Sequence, residues 1–582
     1  MNSHEQWADP HRLQRYRDRV LAERQALRTA CQDPAGHRER VLEDLLAFNA
    51  DTEFGKRARF GDIRGLDDFR KAVPIQDYAA HAPYIERMAA GESRLLSADD
   101  PAIYFTSSGS TGAHKKIPVT PRFMKSVFMP FYYAMWAPML EHFWDVVADP
   151  LAVLNLKQDP LTAPRTTGSG HPHLGASQVD LGERFGEPLS AEPGTSAPWS
   201  VLPAAIGEDE HLERVYARLR LAVEHSGVRG IITFNPAMVA ALPYQLRLWW
   251  PRILKDVRDG TVAGHPHTSP NPSRAAELER LAAYAGGQVR PAHIWPHLRV
   301  ILTWTTGVAS LYLPRLREEF GAGVTVLPGP VAQSEGPVAI ALDRHPTAGS
   351  PVLTAAVHEF VHAEEDLRPD TPTLLTHELE AGREYHAIFS HVGGLYRYAG
   401  GDVVRVVDHA HGVARMEYAG RSTLSDAAGE RLREGQVVRA ISTALASLGL
   451  DVRNATCRVD PTNNRASRYT FAVEPRTAWS QDETDRFTAL LDHALGTESP
   501  GYRTARAEGN LETPVALCLP ADSFQRDWHE TVGSGIRPTQ VKDRLFRQDP
   551  ALWHRLTGQD PTSQPHVTTA ETQTHTSQKA QA

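Results

Sequence analysis

The chain passes repeatedly between two hydrophobic periods in the stretch 212–327, and this alternation limits its fold more than any other feature. Leu212, Val215, Leu219 and Ala222 recur at helical spacing ahead of the short apolar run GIITF at 230–234. The order then repeats as VILTW (300–304), SLYLPRLREEF (310–320) and GVTVL (323–327). Short apolar runs joined by helices predict strands paired in parallel, with helices packed on the sheet. The expected fold class is α/β. Ligands of such sheets sit beyond the carboxyl ends of the strands. Those ends carry Thr305, Thr306 and Gly307, and the stretch PGPVAQSEG at 328–336.

With 582 residues the chain is too long for one core, so several domains are expected. Leu13, Tyr16, Val20 and Leu27, then Val41, Leu45 and Phe48, make the start helical. Residues 160–210 are rich in Gly, Pro, Ser and Thr and read as an irregular insertion. Residues 437–450 form one more amphipathic helix before a β-rich stretch around 453–473. From Gln559 onward large apolar residues almost vanish, which predicts disorder. A net charge of −8 argues against nucleic-acid binding. Cys31, Cys457 and Cys518 are far apart, which fits a reducing cytoplasm without disulfides. No signal peptide and no membrane span are expected. Arginine far outnumbers lysine, a hint of a GC-rich bacterial genome.

The stretch TSSGSTGAHKKIP at 106–118 sets small hydroxyl and glycine residues directly against two lysines. One reading is a flexible surface loop. The other is a polyphosphate cradle, in which glycines let the backbone approach, hydroxyls donate and a lysine adds charge. Strand-like residues 102–105 and 116–119 hem it in, and Thr120-Pro121 reads as an N-cap with proline at N1. The spacing is not that of a Walker A loop.

Three further signals are separated along the chain. Glu335, in VAQSEG, is a carboxylate at a strand end that, if buried, needs a partner or a metal. Asp402, in GGLYRYAGGDVVRVVD (393–408), follows a glycine pair and can accept two hydrogen bonds from a ribose diol; its alternative is a turn aspartate. Arg421 follows a glycine at a domain junction, and Lys542 stands alone in IRPTQVKDRLF. A competing motif is HEFVH at 358–362, with Glu378 or Glu380 downstream. On a helix it matches a zinc hydrolase site; on a strand it puts His358, Phe360 and His362 on one face and Glu359 on the other.

SSGSTGAHK resembles the first core motif of adenylate-forming enzymes. TEFGKRARF, FRKAVPIQDYAAHAPYIERMAAGE, VAQSEG and GLYRYAGGDVVRV resemble the auxin- and jasmonate-conjugating acyl acid–amido synthetases of plants and their bacterial relatives, over roughly residues 10–550. The resemblance implies a large N-terminal adenylation domain (1–420) with parallel and mixed sheets. A small mobile α+β domain (421–557) and a disordered tail (558–582) would follow. It implies ATP and Mg²⁺ as cofactors, and a carboxylic acid and an amine or amino acid as substrates. A monomer is the expectation. Ser107, Ser108, Gly109, Ser110, Thr111 and Gly112 would wrap the β- and γ-phosphates, with Lys115 nearby. Ser334 and Glu335 match a pair whose glutamate binds Mg²⁺. Asp402 would hold the ribose, with Tyr398 close by. Arg421 matches the hinge arginine, Lys542 the lysine of the mobile domain, and Thr305, Thr306 and Gly307 a loop near acid and nucleotide. Val331, Ala332 and Gln333 complete the nucleotide wall.

Three positions depart from that pattern. Val331 replaces a tyrosine that stacks on adenine, Gln333 replaces a serine, and His114 replaces the loop proline of the wider superfamily; the loop is also one residue shorter than in plant enzymes. These bear on nucleotide choice more than on reaction class. An acyl-CoA ligase, a stand-alone adenylating enzyme, a non-catalytic nucleotide-binding protein and the zinc hydrolase remain as alternatives.

Overall fold

The computed structural model describes residues 7, 9–107, 115–157, 165–189, 191–462 and 466–559. The expected disordered tail, apart from its first residues, and Ser108–Gly112 with His114 lie outside these residues.

The first two helices, α1 (Pro10–Gln32) and α2 (Pro34–Asn49), start as their sequences dictate: Asp9 and Asp33 cap them and proline fills the first turn of each. Tyr16, Val20 and Leu27 are buried, on the face that the spacing predicts. The loop's flanks form a hairpin, with β1 (Ile103–Ser107) antiparallel to β2 (Lys115–Val119) and Ser107 opposite Lys115. Thr120 caps the helical turn behind it, its hydroxyl accepting from the Phe123 amide at 3.1 Å.

The α/β layer runs as β3 (Val153–Asn155), α3 (His211–Val223), β4 (Gly230–Ile232), α4 (Pro236–Asp259), β5 (Val300–Thr303), α5 (Leu313–Phe320) and β6 (Thr325–Pro328). The sheet order is β6-β5-β4-β3 and every pairing is parallel. β3, β4 and β5 are buried throughout, as expected of strands covered on both faces. The helix expected over 310–320 begins as a 3₁₀ turn (Gly307–Tyr312) and becomes α-helical only at Leu313. Residues 165–189 and 191–210 hold only short elements, as their composition predicts.

Beyond β7 (Val331–Gln333) and β8 (Gly336–Ile340) comes an antiparallel meander: β9 (Val357–His362), β10 (Glu384–His391), β11 (Leu395–Ala410) and β12 (Val413–Arg421). HEFVH is therefore strand. Glu359 forms a buried ion pair with Arg397, 3.0 Å apart, and both ring nitrogens of His358 lie 3.2 Å from backbone carbonyls. Burial holds the His358 pKa down to about 4. The strand period sends Glu359 to the face opposite the two histidines.

The C-terminal part opens with α6 (Glu434–Leu448), followed by β13 (Val452–Pro461), β14 (Ser467–Pro475), α7 (Gln481–Glu498), β15 (Val515–Cys518) and α8 (Ser523–Gly533). β13 and β14 are antiparallel, and β15 joins β14 in parallel. Most of this part packs around Ile441, Phe471 and Leu491, a core that also takes in Val308 and Leu311, while Trp528 and Val532 of α8 are buried with the parallel layer. Among the described residues no helix is long and apolar enough to cross a membrane.

Candidate active site

Three segments converge beyond the carboxyl ends of β4, β5 and β6. The first is the turn after β7. Glu335 is 4% exposed, its carboxylate accepts from the Tyr398 hydroxyl at 3.0 Å, and its backbone carbonyl lies 2.8 Å from His391 Nε2. Burial and the neighbouring Glu335 both raise the Tyr398 pKa, so the phenol stays a donor.

The second segment is the β11–β12 pair. Asp402 and Arg421 lie directly opposite in register, and their side chains form an ion pair of 3.1 Å. Asp402 is thus a strand residue and not the turn aspartate that its glycine pair also permitted. Burial raises its pKa; Arg421 and Lys542 oppose that rise, while Glu335 adds to it. Asp402 in turn raises the pKa of Arg421, whose guanidinium also donates to the Gly400 carbonyl at 3.0 Å. The Gln333 side chain lies across Gly400, where a Cβ would come within 2.0 Å of Gln333 Oε1. Glycine there leaves room for the Gln333 side chain beside Asp402.

The third segment comes from the C-terminal part. The ammonium of Lys542 lies 4.6 Å from the centre of the Trp304 ring, on a side chain that reaches water yet has protein crowded around it. That crowding, with Arg421 nearby, lowers its pKa. The distances and mutual electrostatic effects thus bring Glu335, Tyr398, Asp402, Arg421, Gln333 and Lys542 together.

The two lysines of the loop part company, as alternation along β2 requires. Lys116 is committed to Glu86 at 2.6 Å, whereas Lys115 Nζ lies 5.0 Å above the Tyr78 ring. Burial raises the Tyr78 pKa, and the charges of Glu86 and Glu335 add to that rise. Val331 packs against the apolar cluster of Phe389 and Tyr398, and Ala332 against the N-terminal core; Ser334 is half-buried between. Thr305 donates to the Pro346 carbonyl at 2.9 Å. Thr306 is extended and precedes Gly307, next to Tyr418 and Glu434.

Three residues of this neighbourhood escaped the sequence reading: Trp304, Tyr418 and Glu434. Glu434 opens α6, where an acidic residue ordinarily complements the helix dipole. Here it is packed beneath the 305–308 loop, and burial pushes its pKa up to about 7 against a hydrogen bond from the Val308 backbone. Between about pH 4.5 and 7 the unfolded chain ionises at this position while the folded chain keeps its proton, so stability falls as pH rises through that window. Glu434→Gln keeps the acceptor and has no charge to bury. Its thermal midpoint should equal the wild type's at pH 4.5 and exceed it at pH 8. Parallel pH profiles of the two midpoints would count against a buried Glu434.

Models of the GH3 family N-terminal, central and C-terminal domains match residues 23–325, 350–421 and 435–550 in turn. A "Probable indole-3-acetic acid-amido synthetase" of Oryza sativa subsp. japonica is 25% identical, covering 88% of this chain and 91% of that protein. An indole-3-acetic acid-amido synthetase of Arabidopsis thaliana is 23% identical, covering 71% of this chain and 79% of its own. The structure of the GH3.15 acyl acid amido synthetase shares the fold, with a TM-score of 0.75, 19% identity and coverage of 92% of this chain and 95% of that one. The protein is an enzyme of the acid–amido synthetase class, an ATP-dependent ligase of acids and amines. The chain belongs to the GH3 family.

Proposed function

We propose that the enzyme activates a small carboxylic acid on ATP and passes it to an amine or amino acid. The acid's oxygen attacks the α-phosphate, pyrophosphate leaves, and an acyl adenylate forms. The amine nitrogen then attacks the acyl carbon, AMP leaves, and the nitrogen gives up its proton. The first step joins an anion to a polyanion, so its barrier falls chiefly by charge neutralisation and positioning. The observation that carries this reading is the convergence of Glu335, Asp402, Arg421 and Lys542 at the carboxyl ends of a parallel sheet.

In this reading Asp402 receives the ribose, with Arg421 holding the carboxylate in place. Gln333, Ala332, Val331, Ser334, Thr306 and Gly307 border the nucleotide, and the loop from Ser107 to Gly112, with Lys115, takes the distal phosphates. Glu335 is the magnesium ligand. Its buried carboxylate meets a neutral phenol in Tyr398, and an oxygen donor suits a hard cation. Magnesium, when bound, neutralises triphosphate charge. Residues 1–420 act as the large domain and 421–557 as the small one, whose withdrawal would open the site for the amine. The unpaired cysteines suit a reducing cytoplasm.

A screen of pyrophosphate release over carboxylic acids tests the reaction. Indole-3-acetic acid comes first, because the relatives carry its name. Glu335→Ala should slow adenylation at least tenfold, about 1.4 kcal/mol in the barrier, and raise the magnesium needed for half-maximal rate. An unchanged rate with unchanged metal dependence would remove Glu335 from the site.

A further inference from the structure

Lys542 belongs to the C-terminal part, yet its ammonium lies on a ring of the N-terminal sheet. Something must hold its backbone at that junction. On the C-terminal side the holder is β13: the Cys457 amide donates to Leu545 O at 2.7 Å, the Arg547 amide to Cys457 O at 2.8 Å, and Thr456 Oγ1 to Leu545 O at 2.7 Å. On the N-terminal side Val541 packs on the core of the parallel layer, and the polar holder is Asn235, 4% exposed, three residues beyond the end of β4. Its Nδ2 donates to Val541 O at 2.7 Å and to Pro538 O at 3.2 Å. Its Oδ1 accepts from the Ala237 amide at 3.2 Å and so caps α4. The helix end offers a donor and the two carbonyls offer acceptors, so the amide can point only one way.

We infer that Asn235 is a positioning residue for adenylation: it fixes the backbone on both sides of the turn before Lys542, so that the ammonium rests on Trp304. The inference depends on the role given to Lys542 above. The cradle has two points on adjacent strand ends. Phe234 O accepts from the Trp304 amide at 3.1 Å, and the two rings stack with centroids 6.3 Å apart. Trp304 Nε1 donates to Pro330 O at 3.0 Å, which fixes the ring, and Gly329 leaves it room: a Cβ there would lie 2.9 Å from Trp304 Cδ1. Lys542 is therefore suspended between an anchor within its own domain and one across the domain boundary. A displacement of the C-terminal part would keep the β13 bonds and break those to Asn235. Asn235 is the releasable half of the mount.

Asn235→Asp and Asn235→Ser separate the mount from the cap. Both retain a side-chain oxygen for the helix N-terminus. Aspartate turns an acceptor toward two carbonyls, and serine is too short to reach them. Pyrophosphate exchange should fall about tenfold in Asn235→Ser and further in Asn235→Asp. Amide formation from the acyl adenylate of the acid found in the screen should stay within twofold of wild type, and the thermal midpoints should hold. If serine lowers the midpoint, the aspartate variant carries the test. In a Lys542→Ala background, Asn235→Ser should add no further loss of exchange. Unchanged exchange in both Asn235 variants, equal loss in both half-reactions, or a full additional loss in the Lys542→Ala background would each overturn the assignment. Lys542→Ala that keeps its exchange rate would instead overturn the role of Lys542, whatever Asn235 does.

Discussion

Lys542→Ala should abolish most pyrophosphate exchange while leaving amide formation from a preformed acyl adenylate nearly intact. The ammonium lies over Trp304 and feels the charges of Arg421 and Asp402. Its charge is useful only while negative charge develops between the entering carboxylate and the departing pyrophosphate. Attack by an amine on the finished adenylate has no pyrophosphate to stabilise. Removal of one such preorganised donor ordinarily costs on the order of 100- to 1,000-fold in rate. The lowered pKa of Lys542 adds a pH signature. Its charge is lost at a lower pH than that of a free lysine, so adenylation should decline on the alkaline side earlier than amide transfer does. Equal losses in both assays would indicate damage to the fold, and no loss in either would return Lys542 to the surface.

The parallel layer was readable because three of its four strands, β3, β4 and β5, are buried on both faces. Uninterrupted apolar runs such as VILTW report that burial directly, and the helical repeats between them leave only parallel connections. The β11–β12 pair was readable in part. GGDVVRVVD marks a strand and a glycine pair, but a sequence does not disclose register, and register is what sets Asp402 opposite Arg421. Asn235 and Trp304 were hidden for a different reason. The helix cap uses only the side-chain oxygen of Asn235, and its two amide N–H donors gain partners only when the chain 303 residues downstream folds back against them. Glu434 was hidden in the same way: an acidic first turn is ordinary, and only the docking of α6 beneath the 305–308 loop turns it into a buried acid. The loop after β1 was the strongest local signal, and its centre lies outside the described residues. Contacts between distant segments thus account for what the sequence withheld, since periodicity and local motifs report each residue's immediate neighbours alone.

HEFVH supplies the largest expected stability effect. A zinc hydrolase would need Glu359 as a base beside two histidines, and Glu359→Gln would then abolish hydrolysis without much change in folding. Its observed surroundings require the reverse. Glu359 is 1% exposed and Arg397 3%, and their side chains meet at 3.0 and 3.3 Å. Arg70 adds a second cation at 2.8 Å, and the Thr373 hydroxyl donates to the same carboxylate. Arg397 also donates to the carbonyls of Val73 at 2.9 Å and Arg70 at 3.2 Å, so the guanidinium cannot swing out to water when its partner is removed. Its own φ of 44° places it in the left-handed region, which the surrounding hydrogen bonds hold in place. Breaking a buried pair by deleting one member leaves an uncompensated charge and costs about 3–5 kcal/mol. Glu359→Ala should therefore lower the urea and thermal midpoints far more than any substitution at the cleft, and reduce amide synthesis only through loss of folded enzyme. Glu359→Gln, which keeps an acceptor for Arg397, should fall between the two. If the alanine variant unfolds at the wild-type midpoint, the buried ion pair is not what holds β9 to β11, and the motif must be explained in another way.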